Sequence, residues 1–154
     1  MEKTDITVKI IFKRKDKILI MKHLNGMFDF PGGRVKFGES PVKALKRELK
    51  EELNYSLTEE PKFFNVWNYL SENGKRHSIF LTYILRLSRK PRLVSSEKAD
   101  LLWLTEKEFI KGNVVKNKNF VRKIFSWPKN NQLKGRIKFN QKILGGILKK
   151  IEKL

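Results

Sequence analysis

Residues 32–54 read "GGRVKFGESPVKALKRELKEELN" and place Arg34, Glu39, Arg47, Glu48, Glu51 and Glu52 in one short segment of a chain whose formal charge is +19. Ser40 followed by Pro41 predicts a helix start, a hydroxyl N-cap and then a proline whose fixed φ suits the first turn. From Pro41 to Leu53 the residues Val42, Leu45, Leu49 and Leu53 recur at three- and four-residue spacing, which predicts a helix with one buried stripe. At about 100° per residue these four share an arc of roughly 80°. Glu48, Glu51 and Glu52 share a separate arc of about 100°, because i,i+3 and i,i+4 neighbours lie on one face. The helix is held on one side and presents three carboxylates on the other.

Three neighbouring negative charges cost free energy unless something positive sits among them. A hard divalent cation meets that need, and all-oxygen ligation selects magnesium or manganese over zinc or copper. Arg47 can hold one carboxylate by a bidentate contact. The segment therefore predicts a divalent-metal site made of Glu48, Glu51 and Glu52.

Working outward, "ITVKIIFKR" (5–13) and "KILIM" (17–21) predict a β-hairpin turning at Lys15-Asp16. "PKFFNVWNYL" (61–70) and "RHSIFLTYILR" (76–86) predict two more strands joined through Asn73-Gly74, a hairpin dipeptide. "DLLWL" (100–104) predicts a short strand ending at Thr105, which with Glu108 forms a capping box. Helices are expected over 119–127, and over 139–154 with Phe139, Ile143, Ile147 and Ile151 on one side. One early helix with several antiparallel strands gives an α+β or mixed layered fold.

The chain has 154 residues, 40% of them hydrophobic, enough for one domain with a real core. It has no cysteine, which excludes disulfides, thiolate metal sites and thiol nucleophiles. The N-terminus has neither a signal-peptide apolar region nor a membrane-spanning run, and the expectation is a cytoplasmic protein without a membrane span. From Lys111 to Leu154 eleven Lys and two Arg face one acid, Glu152, so 13 − 1 = +12 of the +19 sits there. Such a field attracts polyanions, or it is simply a solvated cationic surface. Residues 128–154 are expected to be a basic amphipathic extension of a domain spanning 1–127. It would dock on that domain or on a second subunit, as in a homodimer, and it is a candidate for RNA contact or for a membrane surface.

The segment from Gly33 to Tyr55 resembles the Nudix box, G-x5-E-x7-R-E-U-x-E-E-x-G-U with U a bulky apolar residue. It matches at Gly33, Glu39, Arg47, Glu48, Leu49, Glu51, Glu52 and Tyr55 and departs only at Asn54, where the box has glycine. That position ends the helix, where a left-handed residue is needed and asparagine is the next best choice. "NGMFDFPGG" is similar to the family's lead-in, with Phe28 where Trp is common. "SSEKADLLWLTEKEF" is similar to a later segment in which an acid precedes a Trp and a short helix. The resemblance implies an α/β/α sandwich with a mixed sheet and the box as a loop-helix-loop.

It also implies hydrolysis of a nucleoside diphosphate linked to some group X. Glu48, Glu51 and Glu52 would be metal ligands, joined by the Gly33 carbonyl, with Glu39 and Arg47 fixing those carboxylates. The general base would be a box glutamate or Glu97, with Asp100 in reserve. Phe28, Trp67, Tyr69 and Trp103 could stack a base, although strand aromatics are more often core. His23 and His77 read as surface or structural. The lead-in resembles that of MutT-like nucleoside triphosphate pyrophosphohydrolases, so the expected reaction is (d)NTP to (d)NMP plus pyrophosphate. RNA 5′ ends, nucleotide sugars or ADP-ribose are the alternative substrates. A non-catalytic nucleotide- or RNA-binding module is the alternative from another class.

Overall fold

Apolar and β-branched runs make β1 (Thr4–Arg14) and β2 (Lys17–Lys22), which turn at Asp16 and at Lys15, whose φ is 53°. The computed structural model describes residues 3–96, 98–112, 114 and 117–127. The two strands pair only beside the turn, at Lys13–Ile18 and Arg14–Lys17. β3 (Phe28–Asp29) pairs with β2 at its other end. β6 (Asp100–Thr105) pairs with β2 along its whole length. A strand has two edges, so β1 and β3 share one edge of β2 and β6 takes the other.

On its far side β1 runs parallel to β5 (His77–Arg86) through ten pairs, from Thr4–His77 to Lys13–Arg86. β4 (Lys62–Leu70) pairs antiparallel with β5 and closes the order β3-β2-β1-β5-β4. The sheet is mixed, and β1, paired on both sides near its turn, is buried on both faces; Val8, Ile10, Ile11 and Phe12 are fully covered. Val8, Ile10 and Phe12 point to one face with Leu19 and Met21. Residues two apart along a strand share a face, so Thr7, Lys9 and Ile11 point to the other.

α1 (Pro41–Leu53) covers the Val8 face with Ala44, Leu45, Leu49 and Leu53. Ala44 takes the place expected of Val42, which is half-exposed, so the buried stripe is rotated from the expected one. The expected cap is present, with the Ser40 hydroxyl accepting from the Lys43 N–H at 3.3 Å. At the other end Asn54 adopts φ 51°, ψ 33°, and its N–H reaches the carbonyls of Leu49 and Lys50. Tyr55 then packs edge-on to Phe12, centroids 5.1 Å apart.

α2 (Glu106–Lys111) starts at the predicted capping box, Thr105 and Glu108 each bonding the other's backbone N–H. It buries Phe109, whose ring stacks with Phe30 at 6.4 Å. α3 (Lys118–Phe125) follows, with Val121 and Ile124 buried. Contacts divide the chain between Lys118 and Asn119. The expected helix over 139–154 lies outside the described residues. Among the described residues no helix is long and apolar enough to cross a membrane.

The left-handed cap makes a direct prediction. Asn54→Ala should lower the unfolding free energy by about 1 kcal/mol in urea titrations, whereas Asn54→Gly should match or exceed the parent.

Candidate active site

Because β1 and β2 part after two pairs, the edge of β1 from Ile6 to Ile10 needs other partners. The loop 31–35 supplies them. Val8 N–H donates to the Gly33 carbonyl at 2.9 Å, Ile10 N–H to the Pro31 carbonyl at 2.9 Å, and Val35 N–H to the Ile6 carbonyl at 2.8 Å. Gly32 within this loop has φ +132°, and a Cβ there would lie 2.1 Å from the Val8 carbonyl oxygen. Only glycine lets the loop lie so close to β1. A Cβ on Gly33 would meet the Glu48 carboxylate at 2.3–2.5 Å, so the second glycine leaves the space that this carboxylate fills.

Lys9 fastens the same loop from below. Its ammonium donates to Asp29 Oδ2 at 2.7 Å and to the carbonyls of Phe30 and Gly32 at 3.1 and 3.3 Å. The residue is 6% exposed. Strand alternation gave no sign of this role, since a lysine in phase with Thr7 and Lys13 looks like any polar face.

α1 brings its acids against this loop, and Arg47 gathers them. Its Nε and Nη2 form a fork on Glu39, 2.8 and 3.0 Å from the two carboxylate oxygens. Nη1 donates to Glu48 Oε1 at 2.6 Å and to Glu51 Oε2 at 3.3 Å, while Nη2 also reaches the Arg34 carbonyl at 2.9 Å. A guanidinium has five N–H donors, and these five contacts use them all. Glu52 is placed separately, its Oε2 accepting from the Gly32 N–H at 2.9 Å. Glu39, Glu48 and Arg47 are mostly covered, while the Glu51 side chain is 57% exposed.

Hydrogen bonds from Arg47 and then from the Lys36 backbone hold the Glu39 carboxyl down from 4.5 to about 2. The hydrogen bond to Glu39 in turn holds the Arg47 guanidinium above its ordinary range, against a smaller opposing effect of burial.

Four carboxylates against one guanidinium leave a formal charge of 1 − 4 = −3 in this cluster. Among the described residues no three acidic or histidine groups already converge on one point, since Glu48 and Glu51 are both turned onto Arg47 Nη1. The donor chemistry nevertheless fits a hard divalent cation, being all oxygen with uncompensated negative charge. Glu48, Glu51 and Glu52 are the residues that would hold it. The Gly33 carbonyl already accepts from Val8, so it could contribute only its second lone pair.

The remaining expected site residues are scattered. Glu97 lies outside the described residues; its neighbour Ser96 donates to the Glu52 carbonyl at 2.8 Å. Asp100 opens β6 opposite Lys22. Phe28 also faces Lys22, whose Nζ lies 5.9 Å from its ring. Trp67 stacks on Phe80 at 4.1 Å and donates to Thr82 Oγ1 at 3.0 Å. Its register through Phe80 to Thr7 puts it on the sheet face away from α1. Tyr69 pairs with Ser78 on that same face. Trp103 packs at the rim of the α1-side core and lines a separate cleft with Arg14, Lys17 and Lys90. His77 Nδ1 is 3.0 Å from Thr4 Oγ1, the structural role expected of it.

A glycine-cradled, arginine-gathered set of carboxylates thus sits on the first helix, against a loop that borders a mixed sheet. The chain belongs to the NUDIX domain family, whose model matches residues 3–127. Members of that family generally act with a divalent metal. The chain is 32% identical over 96 residues to a protein named 8-oxo-dGTP diphosphatase from Buchnera aphidicola subsp. Acyrthosiphon pisum, covering 62% of this chain and 74% of that one. A protein of the same name from Escherichia coli K12 is 34% identical over 83 residues, 50% of this chain and 61% of its own length. Among solved structures, a MutT NUDIX hydrolase from Burkholderia pseudomallei superposes with TM-score 0.67 at 22% identity, covering 80% of this chain and 99% of that one. A MutT protein from Methanosarcina mazei Go1 gives TM-score 0.68 at 16% identity, covering 84% and 98%. These two establish the shared fold.

Two outcomes test the geometry. A carboxyl lowered on folding stabilises above its unfolded value and loses that contribution as pH falls toward its folded one. The stability gap between the parent and Glu39→Gln should therefore close between pH 4.5 and about 2, as urea titrations across that range would show. Lys9→Met should cost about 1.5 kcal/mol of stability, the scale of losing hydrogen bonds from a charged donor, because the Asp29 side chain is 44% exposed and regains water. It should also speed amide exchange at Val8 and Ile10, whose N–H groups bond the loop.

Proposed function

We propose that the protein is a nucleoside triphosphate pyrophosphohydrolase that yields a nucleoside monophosphate and pyrophosphate, with magnesium or manganese held by Glu48, Glu51 and Glu52. The observation that carries this is Arg47 holding Glu39, Glu48 and Glu51 while Gly32 holds Glu52. A bound divalent cation would neutralise phosphate oxygens and make an attacking water more acidic. The chain's own part is positioning. Arg47 and the Gly32 N–H keep the carboxylates in place, so little reorganisation is needed as charge develops on the phosphates. Among these acids Glu51 is the most open to water and has the longest bond to Arg47, so it is the box carboxylate best placed to accept a proton. Glu97 is the competing base.

Four relatives carry the name 8-oxo-dGTP diphosphatase, which makes 8-oxo-dGTP the first substrate to try. Phe28, beside the loop, is the aromatic best placed to meet a base; Trp67 and Trp103 stand elsewhere. A nucleotide-hydrolysing chain without cysteine suits the cytoplasm, and residues 1–127 are taken as its catalytic domain. A second reading, RNA 5′-end hydrolysis, is favoured by the +12 carried on residues 111–154. It also draws on 43% identity over 44 residues to a protein named U8 snoRNA-decapping enzyme from Homalodisca vitripennis, although those residues are 24% of that protein.

Pyrophosphate release would be measured for dNTPs, 8-oxo-dGTP and 5′-triphosphorylated RNA, and AMP release for ADP-ribose, with magnesium or with EDTA. Free triphosphates should turn over and EDTA should stop the reaction; preference for RNA would move the assignment to the second reading. Glu48→Gln and Glu52→Gln should each reduce the rate about 100-fold or more with melting temperature preserved. Near-parental rates in both would remove the metal assignment.

A further inference from the structure

At the turn end of β1, away from the loop that meets the carboxylate cluster, the β1–β2 turn and Lys90 enclose a cleft of about 250 Å³ that none of the chemistry above uses. Arg14, Lys15, Lys17 and Lys90 line it with Asp16 and Trp103, a formal charge of 4 − 1 = +3. Among the described residues Arg14, Lys15 and Lys90 have no ion-pair partner, and Arg14 Nε is buried without any hydrogen-bond partner. Lys15 holds the left-handed conformation that makes the turn, φ 53°, a backbone shape that Asn or Gly adopts more easily. Four converging cations against the single Asp16 favour an anion, and their N–H groups favour one that accepts hydrogen bonds.

We propose that this cleft binds a nucleotide, its phosphate among Arg14, Lys15 and Lys90 and its base against the Trp103 indole. Any base offers a flat face on which an indole can stack. The cavity holds one such unit, and its cations surround a single space. A strand of RNA would call for cations strung along a groove. The site is distinct from the metal-binding helix. Arg14 lies six steps along β1 from Val8, the partner of Gly33, a distance of about 20 Å in extended chain. It does not depend on which substrate the carboxylate cluster accepts.

Binding of 5′-AMP to the full chain would be followed by calorimetry in EDTA, so that the metal site contributes nothing. The probe should bind one to one and weaken with added salt. Lys15→Asn combined with Lys90→Ala, both on the surface and the first compatible with the left-handed turn, should weaken it about tenfold or more. That variant should hydrolyse substrate at the parental rate. AMP should also quench tryptophan fluorescence in the parent and fail to do so in Trp103→Phe. Unchanged AMP affinity in the double lysine variant would overturn the proposal. So would the absence of AMP binding under conditions where single-stranded RNA binds, which would make the cleft part of an RNA surface.

Discussion

Arg47 is the contact on which the arrangement of the site depends. One guanidinium joins the loop at Glu39 and Arg34 to the helix at Glu48 and Glu51, using every donor it has. A lysine has three donors around one point and could not span these partners, because the planar fork is what lets three carboxylates and a carbonyl be met in fixed directions. The consequence reaches beyond geometry. The cation sets the acids close together and offsets only part of their charge, and the negative remainder is what a divalent metal would answer.

The site also rests on a feature of the sheet. β1 and β2 separate almost as soon as they leave their turn, and the freed edge of β1 would be an exposed row of N–H and C=O groups. The Pro31–Val35 loop satisfies that edge, and so the glycines that face Glu48 and Glu52 are positioned by backbone hydrogen bonds to the best-buried strand of the protein. Lys9 adds a clamp from the opposite face. A loop that positions the carboxylates thereby gains the rigidity of the sheet it borders.

Charge is distributed with similar consequences. The carboxylate cluster is a negative island in a strongly cationic chain. The general field favours the approach of polyanions, whereas the cluster's own charge opposes it. The cationic cleft beside the β1–β2 turn carries the opposite sign at the other end of β1.

Much was legible in the residue order because it depends on short-range chemistry. Ser40-Pro41 starts a helix, Asn54 ends it, Thr105 and Glu108 cap another, and the spacing of Glu48, Glu51 and Glu52 puts them on one face; each of these is decided by neighbours within four positions. The aromatic platforms were not legible, because a strand's residues show only that they alternate between two faces. Which face Trp67 occupies was settled by its register with Phe80 and Thr7, residues far away in the chain. The burial of Lys9 and the choice of Ala44 over Val42 were settled in the same way, by where the loop and the helix come to rest on β1. The order of residues by itself determined the helix, its caps and its carboxylate face, whereas only the tertiary structure decided which distant groups meet that face, since long-range pairing leaves no periodic trace in either partner.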